Sequence, residues 1–439
     1  MSDGKPEPVL VRAGCGQQVI SPPLGSLLAG YFHDRVAERI RDDLFARAVV
    51  VESGGVRLAF VSCDLIAMGR EMADAAKKII AANVGIPAEN VLIGATHTHT
   101  GAEMRDNHAV AKSEEWAGEL PGKIAAAVEM AAGSMFTATL RPGRMEVEGY
   151  AFNRLFRMKD GSELFGRRPG EMVGVAGPID PELQTLSIVD EEERLRGLIV
   201  NYALHVDVIG GGSADFVSAD WPGEMARNVA AVYGEDVVTV FLQGTAGDIN
   251  HNPHEATALP TRGPEKAIQL GRALAGAAML ATERAEPLED GVLEARVETL
   301  PIPYYTRDAA LMAEVEELKK KEELTPFEQY TVRKGENWPY DGKIAAVPVQ
   351  VMRIGDVGVV ALPAEIFARI GLEIKQFSPA PFTLVVELAN ADVSIYVPTT
   401  DQAERGAYGA RPILSRWLCS DAGRQLADAA QVMLWKLWE

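Results

Sequence analysis

The chain has 439 residues, 47% hydrophobic and 24% charged, which is enough apolar material for a large buried core and unlike a disordered or fibrous protein. Lysine plus arginine total 43 against 62 aspartate plus glutamate, a formal net charge of −19, which opposes binding to nucleic acid or to an anionic bilayer. Three cysteines, Cys15, Cys63 and Cys419, are too few and too scattered for a disulfide framework or a cysteine-built zinc site, and they fit a reducing compartment.

The chain opens on MSDGKPEPVLVRAG, with neither an apolar h-region nor a small-residue cleavage site, and nowhere do about 18 apolar residues run unbroken. A cytoplasmic location without stable membrane association is the expectation. Two β-rich runs, ARAVVVES (46–53) and VRLAFVSCDL ending at Leu65, precede a helical pattern near 70–84, a short strand VLIGA (91–95) and a helix near 119–133. Further strand-like runs stand at 142–150, 183–189, 196–204, 237–243, 293–302, 347–354, 357–362 and 382–388. Alternation in the first half argues for an α/β fold, and Gly355-Asp356 between two β-rich runs reads as a hairpin, so the sheets are expected to be mixed and layered with helices. No linker and no repeat divides the chain, which predicts a single domain over 1–439 with a charge-dense helical insertion at about 305–340, turning at Thr325-Pro326.

The seven histidines are unevenly placed. His97 and His99 directly follow the buried run VLIGA; in an extended segment their side chains would share a face, as a two-histidine metal clamp requires. A second buried run, LRGLIVNYALH, ends in His205, and a third, VVTVFLQGTAGDINHN, runs into a loop bearing Asp248, Asn250, His251 and Asn252. Three strands thus deliver polar residues to what reads as one edge, where α/β folds place ligand sites. Hydrolysis at a metal usually needs a carboxylate as well; the best placed is Glu365, read as lying just after a buried strand in the first turn of an amphipathic helix. Each feature also has a structural explanation: satisfied histidines at strand ends, turn-forming Asn and Asp, an acidic residue favoured at a helix N-terminus.

Several blocks in order, GCGQQVISPPLGSLLAGY, LFARAVVVES, ATHTHTGAE, FNR, NYALH, SADWPG, QGTAGDINHN, LPAE and SIYVPTT, resemble the neutral, or neutral/alkaline non-lysosomal, ceramidases and their shorter bacterial relatives. That resemblance implies an α/β catalytic domain with one zinc ion and amide hydrolysis. It also implies His97, His205, Glu365 and Tyr396 as ligands, His99 beside them, Arg154 facing the developing oxyanion, and Tyr408 lining the pocket. Metallo-β-lactamase-like hydrolases and amidohydrolase barrels fit less well, since His99 is followed by Thr100-Gly101-Ala102 and at least two strands precede the H-x-H. One departure is chemical. Where the family has a serine in G-D-V-S-P-N this chain has Asn250, which cannot be a nucleophile, so metal-activated water would attack, with His99 or Asp248 moving protons and Asn250, His251 or Asn252 orienting water or substrate. The chain is also shorter than a full ceramidase, and no C-terminal β-sandwich is expected within it. These departures and the acidic balance favour a small soluble substrate over a lipid. The ligand set also suits other divalent metals, and the oligomeric state is not indicated. Two alternatives stay open: cleavage or elimination of a carbohydrate or uronate at the same metal, and a binding protein that has lost the chemistry.

Overall fold

The fold is that of a computed structural model that describes residues 9–439, apart from 107 and 256. Its largest element is an eight-stranded mixed sheet built from β1 (Val11–Val19), β2 (Phe45–Ser53), β3 (Val56–Cys63), β4 (Val91–Ala95), β5 (Phe136–Glu146), β6 (Glu182–Asp190), β7 (Leu195–Tyr202) and β8 (Val238–Gln243), in the order β8-β7-β6-β5-β1-β2-β3-β4. The end pairs β7–β8 and β3–β4 are parallel and the rest antiparallel. The hairpin from β2 to β3 turns at Gly54 and Gly55, with φ of 57° and 82°; two consecutive left-handed residues twist the strands the right way, and glycine adopts them without strain.

Period-two alternation assigns the two faces of this sheet. Ala46, Ala48 and Val50 of β2 face a core with α1 (Arg70–Val84) and α2 (Glu114–Gly133). Val49 and Val51 face the other way, into a core shared with a second sheet, β9 (Leu293–Pro303), β10 (Ile344–Ile354), β11 (Val357–Ala361) and β13 (Phe382–Val386), in that order. Helices α3 (Asp220–Tyr233) and α4 (Pro264–Glu283) extend the first helical layer over β5–β8. Helices α7 (Ala368–Gln376) and α8 (Ala422–Trp438) cover the second sheet, giving a helix–sheet–sheet–helix stack. Gly16 is required in β1: a Cβ there would lie 2.4 Å from the carbonyl oxygen of Ala127 in α2. Between β9 and β10 the insertion folds as α5 (Ala309–Leu318) and α6 (Pro326–Glu336), the latter opened by a reciprocal capping box between Thr325 and Glu328. A two-residue parallel ladder, β12 (Glu365–Ile366) against β14 (Tyr396–Val397), completes the elements that matter for the site. Among the described residues no helix is long and apolar enough to cross a membrane.

Local expectations needed correction. The strand expected at 142–150 is β5, which starts at Phe136 and ends at Glu146, because the chain leaves the sheet there and Gly149 turns it at φ 82°. Helix α2 begins at Glu114 rather than 119, because Trp116 and Ala117 extend the buried face of Leu120 and Ile124 by a further turn ahead of Pro121. β1 was not singled out as a strand at all.

The eight-stranded sheet coils until its edge strands face one another. β8 packs against β2, β3 and β4, and Ser62 Oγ of β3 donates to the Phe241 carbonyl of β8 at 2.5 Å. The segment after β13 closes the seam: Ala95 N–H donates to Leu388 O and Glu387 N–H to Gln243 O. The C-terminal ends of β4, β7, β8, β11 and β13 therefore meet.

Candidate metal centre

At that meeting point stand three imidazoles. His97 follows β4, where Thr96 N–H donates to Cys63 O and His97 N–H to Leu65 O, and its φ of 74° turns the chain. The expected extended segment with a period of two is therefore absent; a left-handed residue aims the rings instead. His97 Nε2 lies 3.2 Å from His99 Nε2 and 3.0 Å from His205 Nε2. Glu365 Oε2 lies 3.5 Å from His97 Nε2 and 3.7 Å from His205 Nε2. His97, His205 and Glu365 are all buried, and the three imidazoles converge tightly enough to hold one ion.

Tautomers support that reading. His97 Nδ1 sits 2.7 Å from Ile66 O and His205 Nδ1 3.3 Å from Ala246 O, so each Nδ1 carries the proton and donates. Both Nε2 lone pairs then point into the cluster. Two acceptors 3.0 Å apart repel one another unless a cation or proton lies between them. Glu365 Oε2 and His99 Nδ1 have no hydrogen-bond partner among the described residues. Burial, reinforced by neighbouring positive groups, holds His99 and His205 well below the usual imidazole range and hence neutral. Neutral imidazoles and an unpartnered carboxylate are the donor set of a divalent transition metal.

Backbone geometry places the carboxylate. Glu365 was expected in the first turn of a helix; it lies on β12, because its N–H donates to Ile395 O and the ladder pairs it with Tyr396, while α7 starts only at Ala368. Register thus sets Glu365 and Tyr396 side by side. Arg154 donates to Gly247 O at 2.6 Å and to Tyr396 OH at 3.2 Å, and its guanidinium carbon lies 5.2 Å from the Tyr408 ring centroid. Burial opposes the charge of Arg154, but Tyr396, Tyr408 and Glu365 outweigh it and hold the group firmly cationic. Burial and the Glu365 charge push the Tyr396 hydroxyl well above its ordinary range.

A cavity of about 320 Å³ opens over this cluster, lined by the three histidines, Arg154, Glu365, Tyr396 and Tyr408 among others. Asp248, Asn250, His251 and Asn252 do not line it. Asp248 is fully buried, accepting from Ala368 N at 2.8 Å and Asn153 Nδ2 at 2.7 Å, so it ties the loop after β8 to the start of α7. Asn250 Oδ1 accepts from Asn252 N at 3.0 Å and shapes the loop. His251 is buried, with Nδ1 3.2 Å from Asp207 Oδ1. Sequence reasoning missed Asp207, Glu103, Arg105 and Tyr31 in the cavity wall, and Glu387, whose Oε2 accepts from Ile366 N at 2.6 Å. Burial opposes charge on Asp207, but contact with His251 and the nearby His205 and His99 prevail and hold its carboxyl well below the usual range. Burial, then the Glu365 charge, pushes Glu387 far up, so it stays protonated behind Glu365. Asp207, two residues after His205, was the only one of these with a local signal.

No family model matches the chain. It is 26% identical over 225 residues to the neutral ceramidase of Pseudomonas aeruginosa, a match that covers 47% of this chain and 32% of that protein, about a third of the relative's length. The crystal structure of neutral ceramidase from Pseudomonas aeruginosa superposes with a TM-score of 0.77 at 20% identity, covering 98% of this chain and 75% of that one. A ceramidase complexed with C2 gives a TM-score of 0.76 at 20% identity, over 98% and 76% of the two chains. The chain has the mixed α/β fold of these ceramidase structures, as its sequence blocks implied.

Proposed function

We propose that this protein is a divalent-metal-dependent hydrolase, zinc being the expected ion, that cleaves an amide bond in a small soluble substrate. The observation that carries the reading is the facing of the His97 and His205 Nε2 lone pairs, with Glu365 Oε2 beside them and without another partner. His97, His205, Glu365 and Tyr396 would hold the ion, and His99 Nε2, pointing into the same cluster, is a further ligand or a direct neighbour. When bound, such an ion supplies Lewis acidity toward a carbonyl oxygen and lowers the pKa of water toward neutrality. Arg154, fixed by Gly247 O and Tyr396 OH, presents positive charge where a scissile carbonyl would gain negative charge. Tyr408, 42% exposed at the mouth, meets the substrate first and packs on Tyr396. Glu387 keeps its proton, leaving Glu365 as the anionic partner of the imidazoles. Asp248 and Asn250 hold the loop that presents the Gly247 carbonyl to Arg154.

Amide cleavage is supported by the ceramidase relative, and a soluble substrate by the ionisable groups that line the 320 Å³ cavity, Glu103, Arg105, Arg154 and Asp207 among them. The test is to assay amine release from short N-acyl amines with the metal-reconstituted protein and its His205→Ala variant. Amine release lost by at least 100-fold in the variant supports the reading; an unsaturated ultraviolet-absorbing product from uronates, or ligand binding without turnover, replaces it with one of the two rival readings.

A further inference from the structure

A second cavity, of about 760 Å³, adjoins the metal pocket between α6 of the insertion and the N-terminal turns of α1 and α2. Arg105 and His108 line both cavities, so the two share a wall. Five lysine or arginine side chains line the larger one, together with the carboxylates Glu71, Asp106, Glu114 and Asp392. Most of these cations are committed. Arg105 makes a bidentate pair with Glu103, both contacts at 2.9 Å. Lys112 meets the exposed Asp106 and Glu114 at the rim, and Arg70 and Arg333 donate to the carbonyls of Ala346 and His108.

Lys334 is different. It has no carboxylate within ion-pair distance among the described residues; its Nζ lies 4.6 Å from the Trp417 ring centroid and 5.7 Å from that of Tyr330. Trp417 itself is 8% exposed, and its indole N–H has no hydrogen-bond partner. Asp392 faces the same cavity and interacts with Lys334 only at longer range, so the ammonium and the buried indole donor share one wall without a direct acceptor, and an unmet buried donor costs about 1–3 kcal/mol. Burial and the neighbouring Arg333 and Arg105 outweigh the opposing charge of Asp392 and pull Lys334 down to about 8, a cost that a negative charge in direct contact would relieve. Trp338 and Tyr340, edge to face at 5.0 Å between ring centroids, give the same cavity an aromatic side. An alkyl chain alone would strip water from these cations and give nothing in return.

We propose that this cavity binds a single anionic oxygen group, in its plainest form a carboxylate flanked by an aromatic or apolar surface, and that the group is part of the substrate whose amide bond lies at the adjoining metal site. The first half stands on the cavity alone; the second rests on the hydrolase reading. Because a carboxylate can also bind a metal, affinity is measured first in the His97→Ala protein. The probes are N-acetyl-phenylalanine and its primary amide, followed by calorimetry and by tryptophan fluorescence, which Trp338 and Trp417 report directly. The acid is expected to bind at least tenfold more tightly than the amide, and Lys334→Met or Trp417→Phe in that background to reduce acid affinity at least fivefold while leaving the amide unchanged. Equal affinity for acid and amide, or unaltered acid affinity in both variants, overturns the proposal. In the metal-loaded protein with otherwise natural sequence, kcat/KM for the acid is expected to exceed that for the amide tenfold, a ratio that Lys334→Met brings toward one. Discrimination in binding together with equal kcat/KM overturns the substrate assignment, whereas discrimination in binding with no hydrolysis of either probe overturns the hydrolase reading and leaves the anion site standing.

Discussion

At the scale of single residues, the centre depends on backbone carbonyls that choose tautomers. Ile66 O and Ala246 O hold the protons of His97 and His205 on Nδ1, which frees both Nε2 atoms for a shared ion. His97→Ala or His205→Ala is expected to lower metal content from about one ion per chain to below a tenth and activity by at least 100-fold, as read by elemental analysis and amine release. Gly30 supplies a more specific check: its φ is 95°, and a Cβ there would stand 2.3 Å from His99 Nδ1. Gly30→Ala is expected to push the His99 ring aside and weaken metal affinity about 10–100-fold with the fold retained, measured by competition with a chelator. The sequence shows the histidines because each ends a buried run, a local pattern. It does not show that His97 is left-handed, nor that Glu387 and Arg105 stand near the centre, since those placements depend on contacts between segments far apart in the chain.

At the scale of elements, buried strands were legible because continuous Val, Ile and Leu runs between turn residues have few other solutions, and the helical insertion because its capping box is local. The two-residue ladder of Glu365 and Tyr396 was not, since so short a strand has no period of its own and is defined only by its partner. Asp248 binds the loop after β8 to α7 through Ala368 N and Asn153 Nδ2. Asp248→Ala leaves the Ala368 N–H unmet and Asn153 Nδ2 with Pro178 O alone, and is expected to cost about 1–3 kcal/mol in denaturant unfolding. In the β6–β7 hairpin, Asp190 accepts from the backbone N–H groups of Glu192 and Arg194 and pairs with Arg194 and Arg196. Burial opposes its charge, but the Arg194 backbone and side chain and Arg196 outweigh it and hold the carboxyl at about 2 against a usual 3.8. A depressed carboxyl stabilises the fold fully above pH 3.8 and loses that effect as the pH falls through about 2. Asp190→Asn is therefore expected to cost about 1–2 kcal/mol at pH 7 and to approach the unsubstituted protein near pH 2, read from unfolding curves at both pH values.

At the scale of the molecule, the coiled sheet brings strands from its two edges together, so the site adds a further link between segments already joined by packing and by hydrogen bonds such as Ser62 Oγ to Phe241 O. An ion bound only by the folded state stabilises it by mass action, about 4 kcal/mol when its concentration is 1,000 times the dissociation constant. The net charge of −19 acquires a sharper meaning here: it excludes polyanions from the surface as a whole, while in the cavity behind Arg105 the unpaired Lys334 and the Trp417 indole N–H favour one negative group. The claim on which everything else stands is the metal centre. It is tested most directly by anomalous X-ray diffraction from crystals of the protein purified without chelator, recorded above and below the zinc edge. The expected result is a single edge-dependent peak per chain, about 2.0–2.2 Å from His97 Nε2, His205 Nε2 and a Glu365 oxygen. Crystals with zinc supplied in excess that show no peak among these residues, or one only elsewhere, would contradict it.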